Sequence, residues 1–157
     1  MTRCFAVVVL TLAISLVAAP AAADVDSTVV IAPSATIMRA DRAVLTVPVT
    51  ISCDVMDGPA TGTLEVTVVQ TTGQRVVTAT NTVAVTCADA PATYDVRLAS
   101  AGGVFRPGSA VVTAVLVAES TFEEQVCIEH PDHGTQCNTW SGTQRFEDSE
   151  TATVTLG

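Results

Sequence analysis

Hydrophobic and polar residues alternate with a period of two along much of the chain after residue 24. The clearest run is Leu45–Cys53, in which every odd position is apolar and every even position is polar or proline. Such a period puts one set of side chains on a buried face of a β-strand, and Cys53 belongs to that set. Pro48 has no N–H to donate, so we expect its donor side to lie at an edge or opposite no partner.

Further runs of the same kind predict the remaining strands. They are rich in Val and Thr, which suit pleated sheets, and turn residues separate them. The predicted strands are 64–68, 75–80, 83–87, 93–98, 110–118 and 151–156. Thr72-Gly73 indicates a hairpin and Pro107-Gly108 a type II turn. The run 110–118 is apolar on both faces, which indicates a central strand.

No convincing 3.6-residue period occurs after the first 23 residues. Short strands separated by Gly and Pro turns are typical of all-β sandwiches and barrels. Cys53 and Cys87 each end an alternating strand with the sulfur pointing inward, as in a bridged immunoglobulin-like sandwich. We therefore predict an all-β, immunoglobulin-like antiparallel β-sandwich of roughly 7–9 strands with two disulfides.

The first 23 residues have the pattern of a secretory signal peptide. Arg3 precedes an apolar run from Phe5 to Ala19, and Ala21 and Ala23 supply the small residues that a signal peptidase requires. The apolar run is shorter than the roughly 20 residues needed to cross a bilayer. We therefore expect cleavage near Ala23 and a secreted, extracellular single domain over residues 24–157.

The cysteine count agrees with export. The chain has five cysteines, and the predicted cleavage removes Cys4. The other four form an even set, which in an exported domain indicates two disulfides with three possible connectivities. The strand ends favour Cys53–Cys87, and the short separation along the chain favours Cys127–Cys137.

The charge balance narrows the possible partners. The net charge is −9, and the seven basic residues are all arginine. Nucleic-acid binding is disfavoured because affinity for the phosphate backbone comes largely from basic residues. A polybasic membrane-surface protein is disfavoured for the same reason. We expect a monomer without a membrane span, whose partner is an unknown protein or surface ligand.

One segment, Cys127–Cys137, contains both histidines of the chain. With Glu129 and Asp132, His130 and His133 could join two thiolates in a zinc site. An oxidising compartment instead favours a disulfide-stapled hairpin loop.

We predict that this loop is the binding surface, formed by Glu129, His130, Asp132, His133 and Trp140. The alternative for Trp140 is that its ring covers the end of the core. The alternative for His130 and His133 is zinc or copper binding with nearby carboxylates.

Catalysis finds little support in the sequence. There is no G-x-S-x-G motif and no glycine-rich phosphate loop. Glu65 and Asp95 occupy outward positions on strands, which indicates surface charges rather than a catalytic pair. We predict a non-enzymatic binding module without a cofactor. The alternatives are an extracellular metal-binding protein and a passive envelope or matrix component.

Three parts of the chain resemble a known group of proteins. They are Leu45–Cys53, Val85-Thr86-Cys87 followed by Tyr94-Asp95-Val96, and Phe105–Ala110. They look like small secreted immunoglobulin-like β-sandwich proteins of high-GC Gram-positive bacteria (actinobacteria), most of them uncharacterised. The similarity covers about half of the predicted mature chain and consists of turns and cysteine positions. It implies an exported bacterial domain and brings no catalytic residues with it.

Overall fold

The computed structural model describes residues 26–130 and 134–157, with the backbone alone for His130. The predicted signal peptide lies outside these residues. The described chain forms eight strands and no helix. The strands are β1 (Ser27–Ile31), β2 (Ser34–Ile37), β3 (Val44–Cys53), β4 (Ala60–Thr72), β5 (Arg75–Cys87), β6 (Ala92–Ala99), β7 (Gly108–His130) and β8 (Gly134–Leu156).

These strands form two sheets around one core. In the first sheet, β3 lies between β1 and β6 and pairs with both in the antiparallel sense. The second sheet has the order β8-β7-β4-β5 and is antiparallel throughout. Strand β2 joins the two sheets, because it pairs antiparallel with β3 and parallel with β8. This is the strand order of an immunoglobulin-like sandwich, and the prediction of the fold class is confirmed.

Pro48 lies where the first segment of the chain changes sheets. Strand β1 pairs with β3 as far as Val49, and β2 pairs with β3 from Thr46. Between them the Pro48 carbonyl accepts a hydrogen bond from the Ala32 N–H at 3.1 Å. The nitrogen of Pro48 therefore faces the gap between β1 and β2, where no ladder bond is lost, as the sequence predicts.

The core consists of aliphatic and aromatic side chains from both sheets. The largest fully buried side chains are those of Phe105, Phe146, Leu45, Ile51, Leu64, Leu98, Leu116 and Leu156. At one end of this core, a buried disulfide joins Cys53 of β3 to Cys87 of β5. The bridge therefore connects the two sheets, and the predicted pairing is confirmed.

Several strands are longer than the alternation indicates. The predicted strands 75–80 and 83–87 are one continuous strand, β5. The segments 110–118 and 151–156 are parts of β7 and β8, which have 23 residues each. Alternation reveals a strand only where one face is buried and the other is wet. Residues 121–129 and 134–143 are exposed on both faces except for the half-buried Phe122 and Gly142, so they carry no such signal. Between them and the predicted segments, the inward positions of β8 include the polar residues Gln144, Asp148 and Glu150, which breaks the apolar alternation around the buried Phe146.

On both sides of the sandwich, side chains of one sheet form hydrogen bonds to the edge strand of the other sheet. On one side the Tyr94 hydroxyl accepts a hydrogen bond from the Thr86 N–H at 2.9 Å and donates one to the Thr86 carbonyl at 2.8 Å. On the other side the Glu150 carboxylate accepts the N–H of Ile31, and Asp148 accepts another N–H of β1 at 3.0 Å. The edge strands β5 and β1 thus have unpaired backbone groups satisfied from the opposite sheet.

Replacing Glu150 with alanine is expected to lower the free energy of unfolding by about 1–2 kcal/mol, because the part-buried N–H of Ile31 loses its acceptor. Glu147→Ala is the matched control. Glu147 is exposed and makes an ion pair with Arg145 at 3.6 Å, a type of pair worth less than about 1 kcal/mol. Urea denaturation compares the two variants. Equal losses would contradict a structural role for the Glu150 carboxylate.

Candidate binding ribbon

Strands β7 and β8 continue beyond the end of the sandwich as a two-stranded ribbon. Strand β4 pairs with β7 only as far as Glu119, whereas β7 and β8 remain paired up to His130 and Gly134. We call residues 121–130 and 134–143 the ribbon. Its ten paired positions extend over roughly 30 Å at about 3.3 Å per residue. Every described ribbon residue is exposed except Phe122 and Gly142, which are half-buried.

The two faces of the ribbon differ in chemistry. Residues directly opposite each other in an antiparallel pair project to the same side, so the register assigns each residue to a face. One face, which we call the apolar face, continues the core-facing side of the sheet and carries Phe122, Val126, Ile128 and Trp140. The same face also carries three polar residues, Glu124 directly opposite Trp140, Asn138 opposite Val126 and Gln136 opposite Ile128. The other face carries the Cys127–Cys137 bridge with Glu123, Gln125, Glu129, Thr135, Thr139 and Ser141.

The apolar face is uncovered because the first sheet ends before the ribbon begins. At this end β3 stops at Cys53, and only the loop that follows reaches the ribbon. The Glu123 N–H donates to the Asp57 carboxylate at 3.3 Å, close to the base of the ribbon. Farther out, the exposed fractions are 42% for Val126, 53% for Ile128 and 66% for Trp140. Three large apolar side chains on one face are therefore exposed to water, with Val126 diagonal to Trp140 and Ile128 two residues farther along β7.

Two phenylalanines hold the base of the ribbon. Phe146 is fully buried opposite Ala118, at the point where the sheet leaves the core. The ring of Phe122 lies over its cross-strand partner Gly142, where an added Cβ would come within 2.5 Å of the ring. A Cβ at position 142 would therefore displace the ring from this place. Such a ring also shields the bare backbone of the glycine from water.

A disulfide staples the ribbon near its tip. Cys127 and Cys137 are direct cross-strand partners with their Cα atoms 3.9 Å apart. The predicted pairing is confirmed, and the two sulfurs are not available as thiolate ligands for a metal. A two-stranded hairpin is marginally stable in water on its own, so the cross-link opposes fraying. The apolar face is thus presented on an ordered element, which reduces the entropy lost on binding.

The structure describes only part of the predicted binding surface. Glu129 and Trp140 are both exposed, but they lie on opposite faces of the ribbon. Asp132, His133 and the side chain of His130 lie outside the described residues, so metal binding by the histidines stays a prediction. Among the described residues, no three His, Cys, Asp or Glu side chains are grouped to hold a metal ion.

Trp140 does not cover the end of the core, because two thirds of its side chain is exposed. The sequence does not single out its neighbours Val126 and Ile128. The signal that could have identified them is the alternation around Cys127, where two β-branched residues flank the cysteine in an otherwise polar segment. Once Cys127 is placed opposite Cys137, this alternation puts both residues on the face that carries Trp140.

Comparison of the chain with protein-family models, with curated proteins and with solved structures finds no match. Function is therefore inferred from the fold and the ribbon. In the described part of the chain, no helix is long and apolar enough to cross a membrane.

Proposed function

We propose that the protein is a secreted, non-enzymatic binding module and that the apolar face of the ribbon is its contact surface. The exposure of Val126, Ile128 and Trp140 on one face of a stapled projection carries this proposal. Contiguous exposed apolar side chains mark interaction sites more often than single ones do. Tryptophan is also among the residues that contribute most to binding energy at protein interfaces.

Secretion is part of the proposal. It is supported by the signal-peptide pattern of residues 1–23 and by the two disulfides, which form and persist in oxidising compartments. The resemblance to secreted actinobacterial domains points in the same direction. Binding by an element at one end of a sandwich is also common in this architecture, because a rigid scaffold positions the variable segments at its ends.

The test is retention of the purified protein on washed cells and secreted proteins of its own producing strain. The double substitution I128T/W140A is expected to weaken retention by at least about 2 kcal/mol, or roughly thirtyfold in apparent Kd, because both side chains lose their buried contact. Val111→Thr is the matched control, since Val111 is 44% exposed on the sandwich itself. It should bind like the wild type.

Trp140 also provides a direct signal, because it is the only tryptophan in the chain. Its fluorescence should shift to shorter wavelength when the ribbon is covered by a partner. Equal retention of I128T/W140A and the Val111 variant would contradict the proposed site. So would retention of the wild type without any change in the emission of Trp140.

A further inference from the structure

The end of the sandwich opposite the ribbon carries most of the arginines. Four of the six arginines in the described residues lie there. Arg39 and Arg42 are in the turn between β2 and β3, Arg75 follows the β4–β5 turn, and Arg106 precedes β7. The 22 residue steps of β7 separate this end from the ribbon tip, a path of roughly 70 Å at about 3.3 Å per step.

The two ends have opposite charge, because the four arginines outnumber the one carboxylate in their turns, that of Asp41. Within the described residues, these four arginines have no ion-pair partner, whereas Arg145 at the other end pairs with Glu119 at 3.4 Å. The ribbon carries the carboxylates of Glu123, Glu124 and Glu129, and the loop at its base carries those of Asp54 and Asp57. Contact between unlike ends of two copies therefore brings opposite charges together. Contact between like ends brings equal charges together and is disfavoured.

An open cleft of about 630 Å³ lies at the arginine end, between Arg75 and Arg106. It is also lined by Val76 and Val104, whose side chains are 60% and 52% exposed. A Cβ added at Gly102 would meet no atom within 4 Å, so the space beside this glycine is open. The volume lies in the range of ligand-binding sites. The cleft thus combines exposed valines with flanking cations, and the ribbon combines exposed apolar residues with flanking carboxylates.

We propose that the ribbon of one copy binds in the arginine-lined cleft of the next, so that the protein associates head to tail. This inference rests on the proposed function and names a second copy of the chain as the partner of the apolar face. In the contact, Trp140 and Ile128 leave water against Val76 and Val104, which supplies affinity. Glu124, which lies on the same face directly opposite Trp140, comes beside Arg75 and Arg106, which sets the orientation.

The contact is heterologous, because the two surfaces differ and lie at opposite ends of the molecule. Every bound pair keeps one free ribbon and one free cleft, so association extends into linear chains unless the rotation between copies closes a ring. Because part of the attraction is between exposed charges, added salt weakens it. At low concentration the protein is the monomer that the sequence predicts, and larger species form as concentration rises.

Two complementary variants test the proposal. R75E/R106E disables the cleft, and I128K/W140K disables the ribbon; each changes exposed side chains only. Each variant alone is expected to remain monomeric in sedimentation velocity, with self-association at least tenfold weaker than that of the wild type. An equimolar mixture is expected to form one-to-one dimers and nothing larger. Only the intact ribbon of the cleft variant can then bind the intact cleft of the ribbon variant.

Fluorescence identifies the contact in the same mixture. The ribbon variant has no tryptophan, so all tryptophan emission comes from Trp140 of the cleft variant. This emission should shift to shorter wavelength on mixing. Gly102→Phe is a second cleft variant that fills the space and keeps every arginine. It should also weaken self-association at least tenfold. Circular dichroism verifies that each variant is folded.

Three outcomes would overturn the proposal. The first is a wild type that stays monomeric at all concentrations in low salt, and the second is a mixture that stays monomeric while the wild type assembles. The third is self-association of the cleft variant at wild-type strength, which indicates a ribbon-to-ribbon contact. If the wild type stays monomeric while I128T/W140A still loses retention on cells, head-to-tail assembly is wrong and the proposed function stands. If the wild type stays monomeric and I128T/W140A is retained on cells like the wild type, the proposed function is wrong as well.

Discussion

Replacing both Cys53 and Cys87 with alanine is expected to lower the free energy of unfolding by about 3–4 kcal/mol. The two cysteines are 34 residues apart in the chain, so the bridge strongly restricts the unfolded state. Both are also buried, with exposed fractions of 1% and 0%, so truncation leaves a small cavity. Domains of this kind have total stabilities of about 5–15 kcal/mol, so the loss is a large share.

The position of the bridge explains why the effect should be global. It ties the end of β3 in one sheet to the end of β5 in the other, so both sheets separate more easily without it. Urea denaturation measures the change. The control is C127A/C137A. It removes a bridge between two cysteines that are only 10 residues apart in the chain and lie in the exposed ribbon. It should cost less global stability and should mainly accelerate hydrogen exchange in the ribbon. Equal global losses for the two pairs would contradict this assignment.

Phe146→Ala is expected to cost about 3–5 kcal/mol, the usual range for a buried phenylalanine. The ring is fully buried on β8, and its cross-strand partner is the small residue Ala118. A neighbour that small cannot fill the space that the ring leaves. The substitution should therefore weaken the core at the point where the ribbon is rooted.

Phe122→Ala is the matched control for this change. Phe122 is the same residue type on the same face, but it is half-buried at the base of the ribbon. Its loss should cost about 1 kcal/mol, because much of its surface is wet in the folded state. Thermal and urea denaturation of both variants give the comparison. A loss for Phe122→Ala as large as that for Phe146→Ala would show that the ribbon is part of the cooperative core.

Strands β3 and β6 could be predicted from sequence because each is long enough to alternate clearly and has one buried face. The five- and four-residue strands β1 and β2 are not predicted. The runs 45–53 and 93–98 predict β3 and β6 to within one residue at each end. The same rule does not detect residues 134–143, although they pair with β7 along their whole length. A strand with water on both faces has no reason to alternate. The length of the β7–β8 hairpin could therefore not be predicted from the alternation of apolar and polar residues.

The candidate site depends on two features that no local pattern encodes. The first is the register of β7 and β8, since a slip of one residue would move Trp140 to the other face. The Cys127–Cys137 pairing could be predicted, but it sets this register only because the two cysteines are direct cross-strand partners, which the structure shows. The second is the place where the first sheet ends, because this decides that Val126 and Ile128 are exposed while Leu116 on the same side is buried.

The continuity of β7 and β8 from core to ribbon determines how the domain carries mechanical load. Ladder hydrogen bonds lie perpendicular to antiparallel strands, so a pull along the ribbon loads many of them in shear at once. Strand β7 is bonded to β4 on one side and β8 on the other between Val111 and Glu119. The bridge at Cys127 keeps the two strands together at the tip under tension. A partner that pulls on the ribbon therefore loads the ladder bonds of β7 to both neighbouring strands together.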